Sequence, residues 1–167
     1  PPPLDLEAPD LPFGLGAGAG TIYGTTGGVA EAVVRHCMPD KSRNTLRALE
    51  YSPLRGNESI REATIPVGDR EIKLAVVHGL INAQKLLKEI DEGTAYYDLI
   101  EVMTCPNGCV GGAGQPYGLK AKKQARSAGL YATDRSAPFK RAEYNPGVTS
   151  ILQKLTHEQR HELLHVS

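Results

Sequence analysis

The sequence predicts an α/β fold, a parallel sheet with flanking helices. Three patterns predict it. A strand–helix–strand run occupies residues 63–103, a glycine-rich loop feeds an amphipathic helix ahead of it, and the chain from Leu119 onward reads as helical. A length of 167 residues suits one compact domain.

The elements follow in order. Residues 1–13 are Pro-rich and acidic without periodicity, and read as an extended lead-in that lies on another surface. The first residue, Pro1 rather than Met, reads as that of a processed, trimmed or incomplete product. Residues 14–167 then form the α/β lobe. The run GLGAGAGTIYGTTGG at 14–28 implies backbone in special conformations or in close approach to something. The segment GGVAEAVVRHC at 27–37 carries apolar residues at helical spacing, with Thr25 or Thr26 as expected N-cap and Glu31 favouring the first turns. Such a helix N-terminus can hold an anion or a ligand with polar ends. The loop matches neither GxGxxG nor GxxxxGK[ST], so nucleotide binding is rejected.

Residues 42–62 are mixed and polar, with Pro53 and Gly56 breaking any long helix. ATIPV at 63–67 and EIKLAVV at 71–77 read as strands around a Gly68-Asp69 turn. LINAQKLLKEI at 80–90 reads as a helix that turns Leu80, Ile81, Leu86, Leu87 and Ile90 towards a core and stops at Gly93. DLIEVM at 98–103 is a short strand, which makes the unit a crossover with parallel strands. Pro138 and Pro146 interrupt the helical C-terminal third.

Composition narrows the function. Nineteen Lys and Arg balance nineteen Asp and Glu, which argues against nucleic acid or a membrane surface as a partner held by bulk charge. No run approaches a membrane span, and no signal-peptide pattern opens the chain. Three cysteines do not describe a disulfide scaffold. They suit a cytoplasmic chain with thiols kept for metal or redox work.

Chemistry concentrates just past the 98–103 strand, where Met103-Thr104-Cys105-Pro106-Asn107-Gly108-Cys109 is followed by Val110-Gly111-Gly112-Ala113-Gly114-Gln115-Pro116. Open α/β sheets bind ligands beyond the carboxyl ends of their strands. Thiolates at this spacing can hold zinc or an iron–sulfur centre, although C-x3-C is not the C-x2-C of zinc knuckles or thioredoxin-type pairs. Two buried apolar cysteines in a glycine-rich turn are the alternative. A cubane ordinarily needs four thiolates, and this loop supplies two. Cys37, at the end of a helix, reads as a buried thiol. An iron–sulfur centre here would therefore be completed by another polypeptide or by residues absent from this chain.

The stretch EVMTCPNGCVGGAGQP at 101–116 resembles the third cysteine motif of iron-only (FeFe) hydrogenases, E-x-M-x-C-x-x-G-C-x-x-G-G-G-Q-P. GAGTIYGTTGGVAEAVVR at 18–35, EIKLAVVHGLINAQKLL at 71–87, LYATD from Leu130, YNP from Tyr144 and HELLH from His161 resemble further landmarks of that family, in family order. The resemblance implies one lobe of a two-lobed hydrogenase-like domain, its C-terminal lobe. It implies an enzyme that interconverts protons plus electrons and dihydrogen at an H-cluster. There a 4Fe-4S cubane joins a two-iron unit carrying carbonyl, cyanide and a bridging dithiolate amine. On the matching positions Cys105 and Cys109 would be the metal ligands, Cys109 also bridging to the two-iron unit, and Met103 would pack against that unit. Tyr23 and Gly24 match a Phe-Gly pair that lines the cluster pocket. Soft thiolates for iron, with apolar and glycine surfaces excluding water, agree with that assignment.

Three positions depart from the pattern. Ala113 replaces a glycine, Tyr23 stands where Phe is common, and Asn107 stands where Gly is frequent. The family's first two cysteine motifs are absent. The resemblance therefore implies a larger hydrogenase chain as partner, bringing the remaining cubane cysteines and the proton relay, with a ferredoxin-like or other electron carrier beyond it. The chain alone is expected to be inactive.

Other readings compete. A hydrogenase-like protein that binds only a four-iron cluster, without catalysis, shares the same thiols; its eukaryotic members carry a C-terminal Trp that this chain lacks. A zinc or redox module on Cys105 and Cys109 would bind metal unaided. HELLH at 161–165 matches the zinc-protease motif, but a third ligand downstream has no room before Ser167. His78 is expected to be a satisfied histidine near the interior, and KAKKQAR at 120–126 a solvated helix face that could also dock an acidic electron carrier.

Overall fold

The computed structural model describes residues 14, 16–39 and 42–165, so the expected lead-in over 1–13 lies outside the described residues. Two short turns open the fold, helix α1 (Gly18–Thr21) and a 3-10 turn (Ile22–Gly24). Helices α2 (Gly28–Cys37) and α3 (Arg43–Glu50) follow. Strand β1 (Ile60–Val67), strand β2 (Arg70–His78), helix α4 (Leu80–Asp91) and strand β3 (Leu99–Met103) form the centre. Helices α5 (Lys120–Ser136), α6 (Pro146–Gln153) and α7 (His157–Leu164) complete the chain.

The sheet order is β1-β2-β3. β1 pairs antiparallel with β2 through the turn at Gly68, where φ is +63°. β2 pairs parallel with β3, Leu74 opposite Leu99 through His78 opposite Met103. The predicted crossover is therefore present, and the hairpin strand makes the three-stranded sheet mixed. β2 is buried from Leu74 to His78, as a central strand covered on both faces should be. Alternation sorts its side chains. Leu74 and Val76 meet Ala30, Val34 and Met38 of the α2 side, Leu49 of α3 and Leu54. Ala75 and Val77 meet Ala83 and Leu86 of α4. Each fully buried Leu or Val contributes about 1.5–3 kcal/mol.

Three expectations are corrected here. On α4, Leu86 is buried and Ile90 packs partly against the core, but Leu80, Ile81 and Leu87 are exposed at 61%, 74% and 57%. The sheet is too narrow to cover the whole apolar stripe. Cys37 is exposed rather than buried: it falls on the same helical stripe as Ala30 and Val34, but it is the last residue of α2, where the chain leaves the helix. Pro146 opens α6 rather than only breaking the chain. It stands at N1, and Asn145 Oδ1 accepts from Gly147 N and Val148 N at 3.0 and 3.4 Å.

Candidate metal centre

Strand β3 delivers its C-terminal end beside that of β2, where Gly79 N donates to Met103 O at 2.8 Å. The chain then enters the cysteine loop. Asn107 has φ +69° and Gly108 φ +83°. These two left-handed residues reverse the chain so that Cys109 begins a 3-10 turn (Cys109–Gly111). Asn is the side chain that tolerates this conformation best after Gly, which accounts for Asn107 where the family pattern favours glycine. Gly108 N donates to Cys105 O at 3.0 Å, and Gly111 N to Gly108 O at 3.0 Å, closing the loop on itself. From α5, Arg126 braces it. Nη1 donates to Val110 O at 3.0 Å and Nη2 to Pro116 O at 2.5 Å.

Both thiols are free. Cys105 is half-buried and Cys109 is exposed. A β-carbon on Gly112 would sit 3.3 Å from Cys105 Sγ, and one on Gly111 would sit 2.2 Å from Pro106 O. Small residues thus border the sulfur and let the loop fold tightly. A β-carbon on Gly108 would come within 2.7 Å of Thr26 N and 3.0 Å of Gly24 O. The cysteine loop therefore lies directly on the glycine-rich turn that precedes α2. Tyr23, 49% exposed, and half-buried Gly24 stand in that turn, and Met103 is half-buried at the end of β3. The five sequence-predicted site residues are brought to one end of the sheet by three elements, the last residue of β3, the β3–α5 loop and the 3-10 turn before α2.

The helix cap differs from expectation. Gly27, at φ +91°, occupies the N-cap of α2, and no side chain of its own turn caps it. Instead the buried carboxylate of Glu101, on β3, accepts Gly27 N at 2.6 Å and Ala30 N at 2.7 Å. The anion site expected at this helix N-terminus is filled by the chain itself. Arg61 grips the same turn, its Nη2 donating to Thr26 O at 3.1 Å and to Leu54 O at 3.2 Å. Glu31, expected to favour the first turn, faces inward. It accepts from Arg35 Nη2 at 2.6 Å and from Arg55 Nε at 2.7 Å, while Arg35 also binds Asp134. The Asp134 and Glu31 carboxylates outweigh the desolvation of Arg35 and hold its guanidinium pKa above the usual value. Arg55 lies 4.2 Å from the centroid of the Tyr131 ring, and Thr25 Oγ1 donates to Tyr131 OH at 3.2 Å.

Sequence reasoning missed Glu101, Arg61, Arg126 and the Arg35–Asp134 pair. Glu101 carried two available signals, a charged residue inside an otherwise apolar strand and the opening position of the 101–116 motif. His78 is buried at 5% exposure but only half satisfied. It bonds the Asn57 backbone, while its Nε2 has no partner among the described residues. Burial, aided by the Arg61 charge, pushes its pKa down against that bond. The 120–126 stretch is solvated at Lys120 and Lys122, whereas Lys123 and Arg126 are half-buried against the loop.

Among the described residues no group of three or more His, Cys, Asp or Glu side chains is placed to hold a metal ion. Nor is any helix long and apolar enough to cross a membrane. The donor set at the loop is two soft, unpaired thiols in a glycine-lined turn. That set fits half of a cubane's ligands and falls short of a closed zinc site.

Comparison with known proteins accords with this donor set. Residues 2–113 match the family described as the iron only hydrogenase large subunit, C-terminal domain. The chain is 38% identical over 162 residues to the NADP-reducing hydrogenase subunit HndD of Solidesulfovibrio fructosivorans, covering 93% of this chain and 28% of that one. It is 34% identical over 134 residues to the cytosolic iron-sulfur assembly component 3 of Mus musculus, covering 78% of this chain and 27% of that one. The fold is similar to that of a variant of the FeFe hydrogenase HydA1 from Chlamydomonas reinhardtii, with TM-score 0.65 and 32% identity, covering 94% of this chain and 49% of that one. The chain thus spans under a third of the length of these curated relatives. With the motif, the loop geometry and the fold in agreement, the chain belongs to the family of the iron-only hydrogenase large subunit, C-terminal domain.

Proposed function

We propose that this chain forms one half of the cluster pocket of an FeFe hydrogenase. Cys105 and Cys109 would hold the cluster, supplying two of the four thiolates of its 4Fe-4S cubane, and Cys109 would also serve the two-iron unit. The observation that carries the reading is the pair of free thiols on a loop packed against the Gly24–Thr26 backbone. When bound, the H-cluster supplies the redox chemistry that interconverts protons plus electrons and dihydrogen.

This chain's residues bind and shield. The thiolates of Cys105 and Cys109 would hold iron. Met103, half-buried at the end of β3, would offer a thioether to pack against the bound group and keep water from that flank. Gly24, without a side chain, lets its backbone approach the bound group, and Tyr23 adds a hydroxyl to the wall. The partner is a larger hydrogenase chain with the remaining cubane cysteines and the proton relay. Electrons arrive through a ferredoxin-like or other carrier, in the cytoplasm.

A second reading is favoured by one observation, the 34% identity to an iron–sulfur assembly component. Under it the same thiols hold a four-iron cluster alone. The infrared spectrum of the co-purified, matured complex separates the two. Carbonyl and cyanide bands support the hydrogenase. Iron without those bands, after maturation, overturns it in favour of the cubane-only protein.

A further inference from the structure

Glu101 lies four residues before Cys105 on β3, and its carboxylate reaches across to the first turn of α2. Oε1 accepts the Gly27 N–H at 2.6 Å and Oε2 accepts the Ala30 N–H at 2.7 Å. These are two of the orphan donors of a helix N-terminus, and side-chain capping normally satisfies them from within the same turn. Here a distant strand does so. From the other side Arg61 Nη2 holds Thr26 O. The outer surface of the turn so held is the surface on which Gly108 rests. The link from Cys105 through β3 to the cap is extended backbone, pinned to β2 as far as Met103, and does not stretch.

The geometry points to Glu101 as a positioning residue that couples the iron-binding loop to the glycine wall, so that loading of Cys105 and Cys109 and ordering of the α2 N-terminus form one linked equilibrium. The inference rests on the reading that these thiols bind an iron–sulfur cluster. A cap that serves only α2 would stabilise it equally with and without iron. A coupling residue behaves reciprocally. Iron that pins the cysteine loop keeps Gly108 seated on the turn, and the cap then opens less often. Weakening the cap loosens the iron in return.

The test uses the full protein with the polypeptide that co-purifies with it, loaded anaerobically with ferrous iron and sulfide or left unloaded. Amide hydrogen exchange is followed at Gly27 and Ala30, and iron release to a chelator is timed. Wild type is expected to show exchange about tenfold slower at both amides when loaded. Glu101→Gln keeps one acceptor oxygen and turns an NH2 towards the other donor. It is expected to lose the iron dependence and to release iron about tenfold faster. Glu101→Asp restores part of both effects. Ser42→Ala, which removes the side-chain acceptor of Thr45 N at the start of α3, leaves both unchanged.

Equal slowing in wild type and Glu101→Gln overturns the coupling. If Glu101→Gln does not fold, the wild-type arm still decides, since iron bound with unchanged exchange at Gly27 and Ala30 overturns it too. Failure of wild type to take up iron overturns the underlying reading, and is told apart because no loaded state then exists.

Discussion

Gly108 rests on Thr26 so closely that a β-carbon at residue 108 would stand 2.7 Å from the Thr26 backbone nitrogen. The contact joins the loop that bears both thiols to the turn that begins α2. Gly108→Ala would meet backbone, which cannot swing aside, at a φ of +83° that L side chains avoid. The expected result is a loss of about 1–3 kcal/mol in chemical denaturation, together with failure to retain iron. Unchanged stability and iron content would show that the two loops do not depend on each other.

Arg35 and Asp134 meet at two points, Nη1 to Oδ1 at 2.8 Å and Nη2 to Oδ2 at 2.7 Å, at 2% and 1% exposure. Asp134→Ala leaves excess buried positive charge beside Arg55 and should cost about 3–5 kcal/mol. The double variant Arg35→Met, Asp134→Leu leaves Glu31 balanced by Arg55 and should cost less than either single change. Urea titration of the double variant beside Arg35→Met and Asp134→Leu alone reads this directly, and a double variant worse than both singles would refute it.

His78 predicts a pH dependence. Its folded pKa lies below the ordinary 6.5 because burial disfavours the imidazolium and Arg61 repels it. As pH falls below 6.5, the unfolded chain takes up a proton that the folded chain does not. Stability is therefore full above 6.5 and declines as pH falls towards the lower folded value. Denaturation midpoints for wild type should drop over that window, and His78→Asn should flatten the drop. An identical slope in the variant would assign the effect elsewhere.

Leu80, Ile81 and Leu87 leave an apolar strip on α4 that the sheet does not cover. The chain covers 49% of the HydA1 chain it resembles in fold, and under the proposed function this strip would face the remainder of that fold. Ile81→Lys with Leu87→Lys should leave stability within about 0.5 kcal/mol. Co-purification of the proposed partner chain should fall sharply. Undiminished association would exclude this face from the interface.

Much of this was legible because it is local. The run IKLAVV is a buried strand by composition, the Gly68-Asp69 pair is a turn, and Gly93 stops α4 at φ +70° as a glycine after a helix should. The cysteine loop was legible as a candidate metal site because few residue types hold iron, and separated motifs in family order reinforce one another. The α2 cap was not legible. Thr25 and Thr26 are good local cappers, but the donors are filled by Glu101, 74 positions from Gly27, and only tertiary packing reveals that. The same distance hides Arg35 from Asp134, 99 positions apart. Helical periodicity found the α4 stripe, but periodicity reports apolar spacing and says nothing of how wide a surface lies opposite it.

Iron and acid-labile sulfide counted per chain, in the anaerobically reconstituted full protein and in its cysteine variants, test the central assignment most directly. The account predicts that Cys105→Ser and Cys109→Ser each lose the bound iron, while Cys37→Ser, at the exposed end of α2, keeps it. Iron retained at the wild-type level without Cys105 and Cys109 would contradict it.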